Sequence, residues 1–119
     1  MYANGPKKYL GQNFLKSDKY AQIAVKALEI TAEDNVLEIG PGNGALTRHL
    51  FGFGFLYKSL SLVEYDKDLM PNLNRLAEKE QKVTVTNQNI LDCDLSLYTK
   101  IIGAIPYNIT SPIIHTIIA

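Results

Sequence analysis

The sequence predicts an α/β domain built on a parallel sheet. Two observations carry this. Short apolar segments alternate with segments of helical spacing, and a glycine-rich stretch, "GPGNG", joins one such strand to the next helix. Strands separated by helices pair in parallel through right-handed crossovers. A chain of 119 residues holds one domain, and 46% hydrophobic with 20% charged content is the balance of a folded protein, not a disordered one.

The elements follow in order. "SDKYAQIAVKALEI" offers Ser17 as an N-cap and places Ile23, Ala24, Ala27 and Leu28 at helical spacing. "NVLEIG" is a short apolar strand stopped by glycine, "GALTRHLF" the next helix, and "SLSLVE" a second strand ending on Glu64. The following helix starts at Asp68, which puts Pro71 in the first turn, where its missing N–H costs little. "KVTVTN" reads as the third strand and "KIIGA" as the fourth, with Ser111 and Pro112 as cap and first residue of a last helix. No repeat, low-complexity tract or linker divides the chain.

Composition narrows the function classes. The apolar runs are only a few residues long, too short for a membrane span, and "MYANGPKKYL" lacks the apolar centre of a signal peptide. A cytoplasmic setting is the expectation, with an organelle matrix as its variant. Cys93 is the one cysteine, so no internal disulfide or cysteine-based zinc cluster forms, and it reads as a small filler. His115 has no second metal-type residue beside it and reads as a polar interruption. The net charge is zero, yet residues 1–26 carry Lys7, Lys8, Lys16, Lys19 and Lys26 against Asp18 alone. Such a basic arm suits a phosphate backbone or a merely solvated terminus.

The strongest local signal is "VLEIGPGNGALT". Gly40, Gly42 and Gly44 stand between strand and helix, where absent side chains let the backbone turn tightly and approach a ligand, and helix N–H groups favour an anionic group. Gly40, Gly42 and Ala45 also fit the dinucleotide spacing, a weak pattern by itself. Glu38, near the end of the strand, suits a ligand carrying an ammonium better than a pyrophosphate. Glu64, at the end of the second strand, is placed to accept from ribose hydroxyls.

With these residues in hand, the chain resembles the ribosomal RNA adenine N6-dimethyltransferase family, with the small-subunit branch favoured over the macrolide-resistance enzymes. "KKYLGQNFL" resembles the family's N-terminal signature, "LEIGPGNGALT" its S-adenosylmethionine loop, "LVEYD" its ribose-binding acid and "GAIPYNITSP" its catalytic corner. The resemblance implies a Rossmann-like class I methyltransferase fold of parallel strand order 3-2-1-4, truncated after strand four. It makes residues 1–119 the N-terminal part of the cofactor domain, without the later strands and the helical RNA-contacting domain. It implies S-adenosyl-L-methionine as cofactor and ribosomal RNA as partner. It places Asn13 and Leu15 in the cofactor pocket, Gly40 against the methionine part and Glu64 on the ribose.

Two positions depart from the family pattern. Asn89 stands where the family has an Asp that accepts from the cofactor's adenine amino group; it can accept through its oxygen, without the charge. Ala104 stands where the family's Asn accepts from the N6 amino group of the target base, while Pro106 and Tyr107 keep the rest of the corner, Tyr107 as the stacking face. An exocyclic amine is a poor nucleophile until acceptors orient it, so Ala104 implies an impaired catalyst. The alternative is a non-enzymatic module keeping the cofactor fold for RNA binding or ribosome assembly; a dinucleotide oxidoreductase explains neither "GQNFL" nor "IPYN". A fourth strand with an open edge of Ile101 and Ile102, and the isoleucines beyond it, implies self-association through that edge.

Overall fold

A computed structural model describes residues 18–107 and 111–118, with side-chain surroundings for residues 19–103. The elements are α1 (Asp18–Ala27), β1 (Asn35–Ile39), α2 (Thr47–Phe51), β2 (Ser59–Glu64), α3 (Met70–Ala77), β3 (Val83–Asn87), β4 (Lys100–Tyr107) and β5 (Ser111–Ile118). One sheet holds all the strands in the order β3-β2-β1-β4-β5. The first four are parallel, with Leu37 of β1 beside Ser61 of β2 and Ile101 of β4, so the expected 3-2-1-4 arrangement is present.

β1 lies between two strands, and its consecutive residues Val36, Leu37 and Glu38 are all buried. That pattern belongs to a parallel strand covered on both faces. On one face α1 and α2 bring Val25, Leu28 and Leu50 against Val36, Leu60 and Ile102. On the other, Leu37, Val63 and Ile101 pack with Ile39, Ile90 and Cys93, which is the filler the sequence predicts. β3 closes one edge of the sheet and is correspondingly half-exposed.

The amino end of β1 is fastened by Asp34. Its Oδ2 accepts from the Thr31 backbone N–H (2.7 Å) and from Lys100 Nζ (3.1 Å), and its Oδ1 accepts from Thr99 Oγ1 (2.7 Å). Lys100 Nζ spends its other donors on the carbonyls of Leu28 (2.7 Å) and Glu29 (3.0 Å), just past the end of α1. Thr99 Oγ1 in turn accepts from the Asn35 N–H, and Asn35 Oδ1 from Ser59 Oγ. One carboxylate thereby ties α1, β1, β2 and β4 together. Burial pushes the Asp34 carboxyl up, but the hydrogen bonds from Thr99, Thr31 and Lys100 outweigh it and hold the group below its usual value.

Three elements differ from expectation. α1 stops at Ala27 instead of running to Ile30, because Glu29 takes a left-handed φ of 52° and turns the chain toward β1; Ser17 lies outside the described residues. α3 begins at Met70, behind a 3-10 turn (Lys67–Leu69) in which the Asp66 side chain accepts from Asp68 N, and Pro71 keeps its place in the first helical turn. The largest correction concerns the last segment. β4 continues past Ala104 to Tyr107, and residues 111–118 form a strand antiparallel to it instead of a helix, with Ala104 opposite Ile114 and Pro106 opposite Pro112.

Physical reasons favour that strand. "PIIHTIIA" is rich in β-branched residues, and it lies beside an otherwise unpaired edge of backbone donors and acceptors. β1 accompanies β4 only as far as Gly103, so Pro106 falls where β4 is flanked on one side alone, a position proline tolerates. The open β4 edge on which self-association was expected is therefore filled from within the chain.

The Asp34 fastening makes a direct prediction. Asp34→Ala takes one of its three acceptors from Lys100 and removes the acceptor of the Thr31 N–H and of the Thr31 and Thr99 hydroxyls, which should cost about 3 kcal/mol in urea unfolding at neutral pH. The folded carboxyl titrates below the unfolded one, so its stabilisation is present above the usual value of 3.8 and disappears as the pH falls through the folded value. The gap between wild type and variant should accordingly close in acid.

Candidate functional site

The carboxyl ends of β1, β2 and β3 meet around the glycine loop. Gly40 N donates to Val63 O (2.9 Å), carrying the β1–β2 ladder one residue beyond Ile39. Gly40, Gly42 and Gly44 then take φ values of 64°, 58° and 90°, a region side chains avoid. The loop uses two of these glycines differently. A Cβ on Gly44 would stand 2.5 Å from Leu76 Cδ2, so this glycine lets the loop press on α3. A Cβ on Gly42 would meet nothing nearer than Gly40 O at 3.9 Å, so its missing side chain leaves open space instead. α2 is only five residues long, and little anion attraction is to be had from its end.

Glu64 is the organising side chain. It is buried at the tip of β2, where Oε1 accepts from Gly42 N (2.9 Å) and Oε2 from Asp66 N (3.0 Å). Each oxygen keeps a further lone pair. Glu64 also borders a cleft of about 260 Å3, shared with Ile39, Gly40, Val63, Tyr65 and Asn89. Asn89 enters that wall as the cap of a 3-10 turn (Ile90–Asp92), its Oδ1 accepting from Leu91 N at 2.9 Å. One lone pair of the amide oxygen is thus already engaged, leaving one for a ligand.

Glu38, expected beside the cofactor, is held inside the domain. It is 1% exposed, lies beneath the loop and does not border the cleft. Thr47 Oγ1 donates to its Oε1 at 2.6 Å. Burial pushes the carboxyl up to about 8, the neighbouring Glu64 charge adds to the rise, and the Thr47 bond opposes it. Near neutral pH, in the chain by itself, burial therefore favours the protonated acid at Glu38.

Gly40, Glu64 and Asn89 are therefore brought together in one cleft, with Gly42 bonded to Glu64 and Gly44 packed on α3. Ala104, Pro106 and Tyr107 lie in the far half of β4, where the backbone pairs with β5. Asn13 and Leu15 lie outside the described residues. Sequence reasoning missed Thr47, the first residue of α2, whose hydroxyl reaches back nine residues to Glu38. It also missed Asn87, whose Nδ2 donates to the carbonyls of Glu64 (2.9 Å) and Tyr65 (3.1 Å). Among the described residues no group of three or more His, Cys, Asp or Glu could hold a metal ion.

Comparison with known proteins agrees with this geometry. The profile of the family described as "Ribosomal RNA adenine dimethylase" matches residues 3–119. A Ribosomal RNA small subunit methyltransferase A of Hydrogenobaculum sp. (strain Y04AAS1) is 44% identical over 119 residues, covering 95% of this chain and 44% of its own length. The chain thus spans less than half of that relative. Among solved structures, the 23S rRNA methyltransferase ErmE is 29% identical with a TM-score of 0.66, over 77% of this chain and 37% of that one. A dimethyladenosine transferase from Plasmodium falciparum aligns with a TM-score of 0.67 over 80% of this chain and 34% of that one, and at 24% identity it speaks to the fold alone. The Rossmann-like methyltransferase architecture expected from the sequence is therefore present, and the dinucleotide reading of the glycine loop gives way to it. Glycine loop, strand-end acid and a match over nearly the whole sequence together make this chain a member of the ribosomal RNA adenine dimethylase family.

Proposed function

We propose that this chain is the cofactor-binding part of an S-adenosyl-L-methionine-dependent enzyme that methylates adenine N6 in ribosomal RNA, with the small subunit as target. The observation that carries the reading is Glu64, a buried carboxylate fixed by two backbone N–H groups with its remaining lone pairs beside an open cleft. A nucleoside fits that acceptor: its ribose offers two adjacent hydroxyls to one carboxylate, and the bare backbone at Gly42 leaves room for the attached chain. Asn89 is positioned in the same wall to accept from an adenine amino group. The family and the name of the small-subunit relative support the choice of RNA, and that substrate implies a cytoplasmic location.

Bound in this cleft, the cofactor supplies an electrophilic methyl group. The chain's own task is to hold the nucleoside end, which Glu64 does with a carboxylate fixed by the Gly42 and Asp66 N–H groups. The target amine needs an acceptor to orient its lone pair. Ala104 offers none, and by the scale of one lost positioned hydrogen bond this lowers the rate on the order of a hundredfold. Weak turnover with retained cofactor binding is the behaviour this combination favours over a non-enzymatic module, since no described feature is specific to the latter.

Titration calorimetry with S-adenosylhomocysteine tests the reading. Glu64→Ala should weaken binding tenfold or more, about 1.4 kcal/mol or above; an unchanged affinity would remove the ribose assignment. Glu38 allows a separate check by thermal unfolding against pH. Its folded carboxyl titrates at about 8 against 4.5 for the free group, so the native state holds the extra proton in between. The stability tied to that proton is full below 4.5 and is lost as the pH rises toward 8. Glu38→Gln keeps an acceptor for Thr47 and should flatten that decline. A wild-type profile with no fall across the same range would show that Glu38 ionises freely.

A further inference from the structure

We infer that Asn87 is a positioning residue for the nucleoside site, acting through Glu64; this rests on the function proposed above. Asn87 is the last residue of β3 and pairs in register with Glu64, where the β2–β3 ladder ends. Beyond that pair the Tyr65 carbonyl has no strand partner, and a parallel strand end of this kind frays readily. The Asn87 side chain supplies what the ladder no longer does. Its single amide nitrogen donates to two consecutive carbonyls, Glu64 O at 2.9 Å and Tyr65 O at 3.1 Å, and Glu64 O also accepts from Gln88 N at 2.9 Å.

Glu64 is consequently held from two directions. The backbone of residues 64–65 is clamped by Asn87 and Gln88 from β3, and the carboxylate is clamped by Gly42 N and Asp66 N from the glycine loop and the turn after β2. Only the combination fixes where the free lone pairs of the carboxylate point. Asn87 itself is exposed and belongs to neither hydrophobic cluster, so its side chain contributes nothing to the core that would explain an amide there. Asparagine is matched to the task because one planar NH2 group carries two hydrogens for two adjacent acceptors. An aspartate would present lone pairs to both carbonyls, and an alanine would leave Tyr65 O to water. A hydroxyl acceptor set loosely on a fraying strand end binds less well than a preorganised one.

A double-mutant cycle on S-adenosylhomocysteine affinity tests this, with wild type, Asn87→Ala, Glu64→Ala and the double variant measured by calorimetry beside their melting temperatures. Asn87→Ala should raise Kd about tenfold in the wild-type background and by less than twofold once Glu64 is alanine. Should Asn87→Ala fail to fold, Asn87→Ser, which keeps one donor, enters the same cycle with a smaller expected loss. An equal fold-loss in both backgrounds, or no loss beside an intact Glu64, overturns the positioning role while leaving the ribose assignment standing. No loss from Glu64→Ala alone overturns the ribose assignment itself, and the positioning role with it.

Discussion

β1 is paired on both edges and covered on both faces, so the chain can enter and leave it only at its ends, and each end is fastened by carboxylates. At the amino end, Asp34 accepts from Thr31, Thr99 and Lys100 and gathers α1, β1 and β4 into a fixed register. At the carboxyl end, Glu64 holds the glycine loop through Gly42 N, and Glu38 holds the start of α2 through Thr47. Everything that makes the cleft depends on this central strand being unable to shift. A slip of one residue along β2 would carry Gly40 away from Val63 and Gly42 away from Glu64.

Three buried carboxyl groups do different things in these places because their surroundings differ. Asp34 is ionised, with an ammonium and three hydrogen-bond donors opposed to its burial. Glu38 has one hydroxyl donor and full burial, and it keeps its proton at neutral pH. Glu64 is buried as a residue but borders the cleft, with a backbone N–H group on each oxygen. Neutralising Glu38 also spares the loop a pair of charges buried close to each other, since each carboxylate would otherwise raise the other's cost of ionisation. In the structure Glu38 also accepts from Thr47, which anchors the start of α2.

Much of this was legible in the sequence. The first three strands are short apolar runs with clear stops, and Gly40, Gly42 and Gly44 announce a left-handed loop whatever the ligand. Glu64 could be placed because a strand end fixes where its last side chain stands. What could not be read were contacts between residues distant in the chain, such as Lys100 with Asp34 or Asn87 with Glu64, which neither periodicity nor spacing encodes. The last segment was misread for a local reason. Ser111-Pro112 is a good helix start, but the isoleucines behind it are better strand formers, and the free β4 edge decided between the two.

The most direct measurement is a titration of isotope-labelled protein with S-adenosylhomocysteine, followed by amide resonances. Besides the strand-end cleft, the described residues form a groove of about 200 Å3 between α1 and α2, lined by Gln22, Val25, Lys26, His49 and Phe53. Binding at the strand ends should move the amides of residues 40–44, 64–66 and 88–90 in a saturable way and leave Asp34, Asn35 and Lys100 in place. Shifts confined to the α1–α2 groove, or no saturable shift at Gly42 and Glu64, would contradict the assignment of the glycine loop and its carboxylate as the nucleoside site.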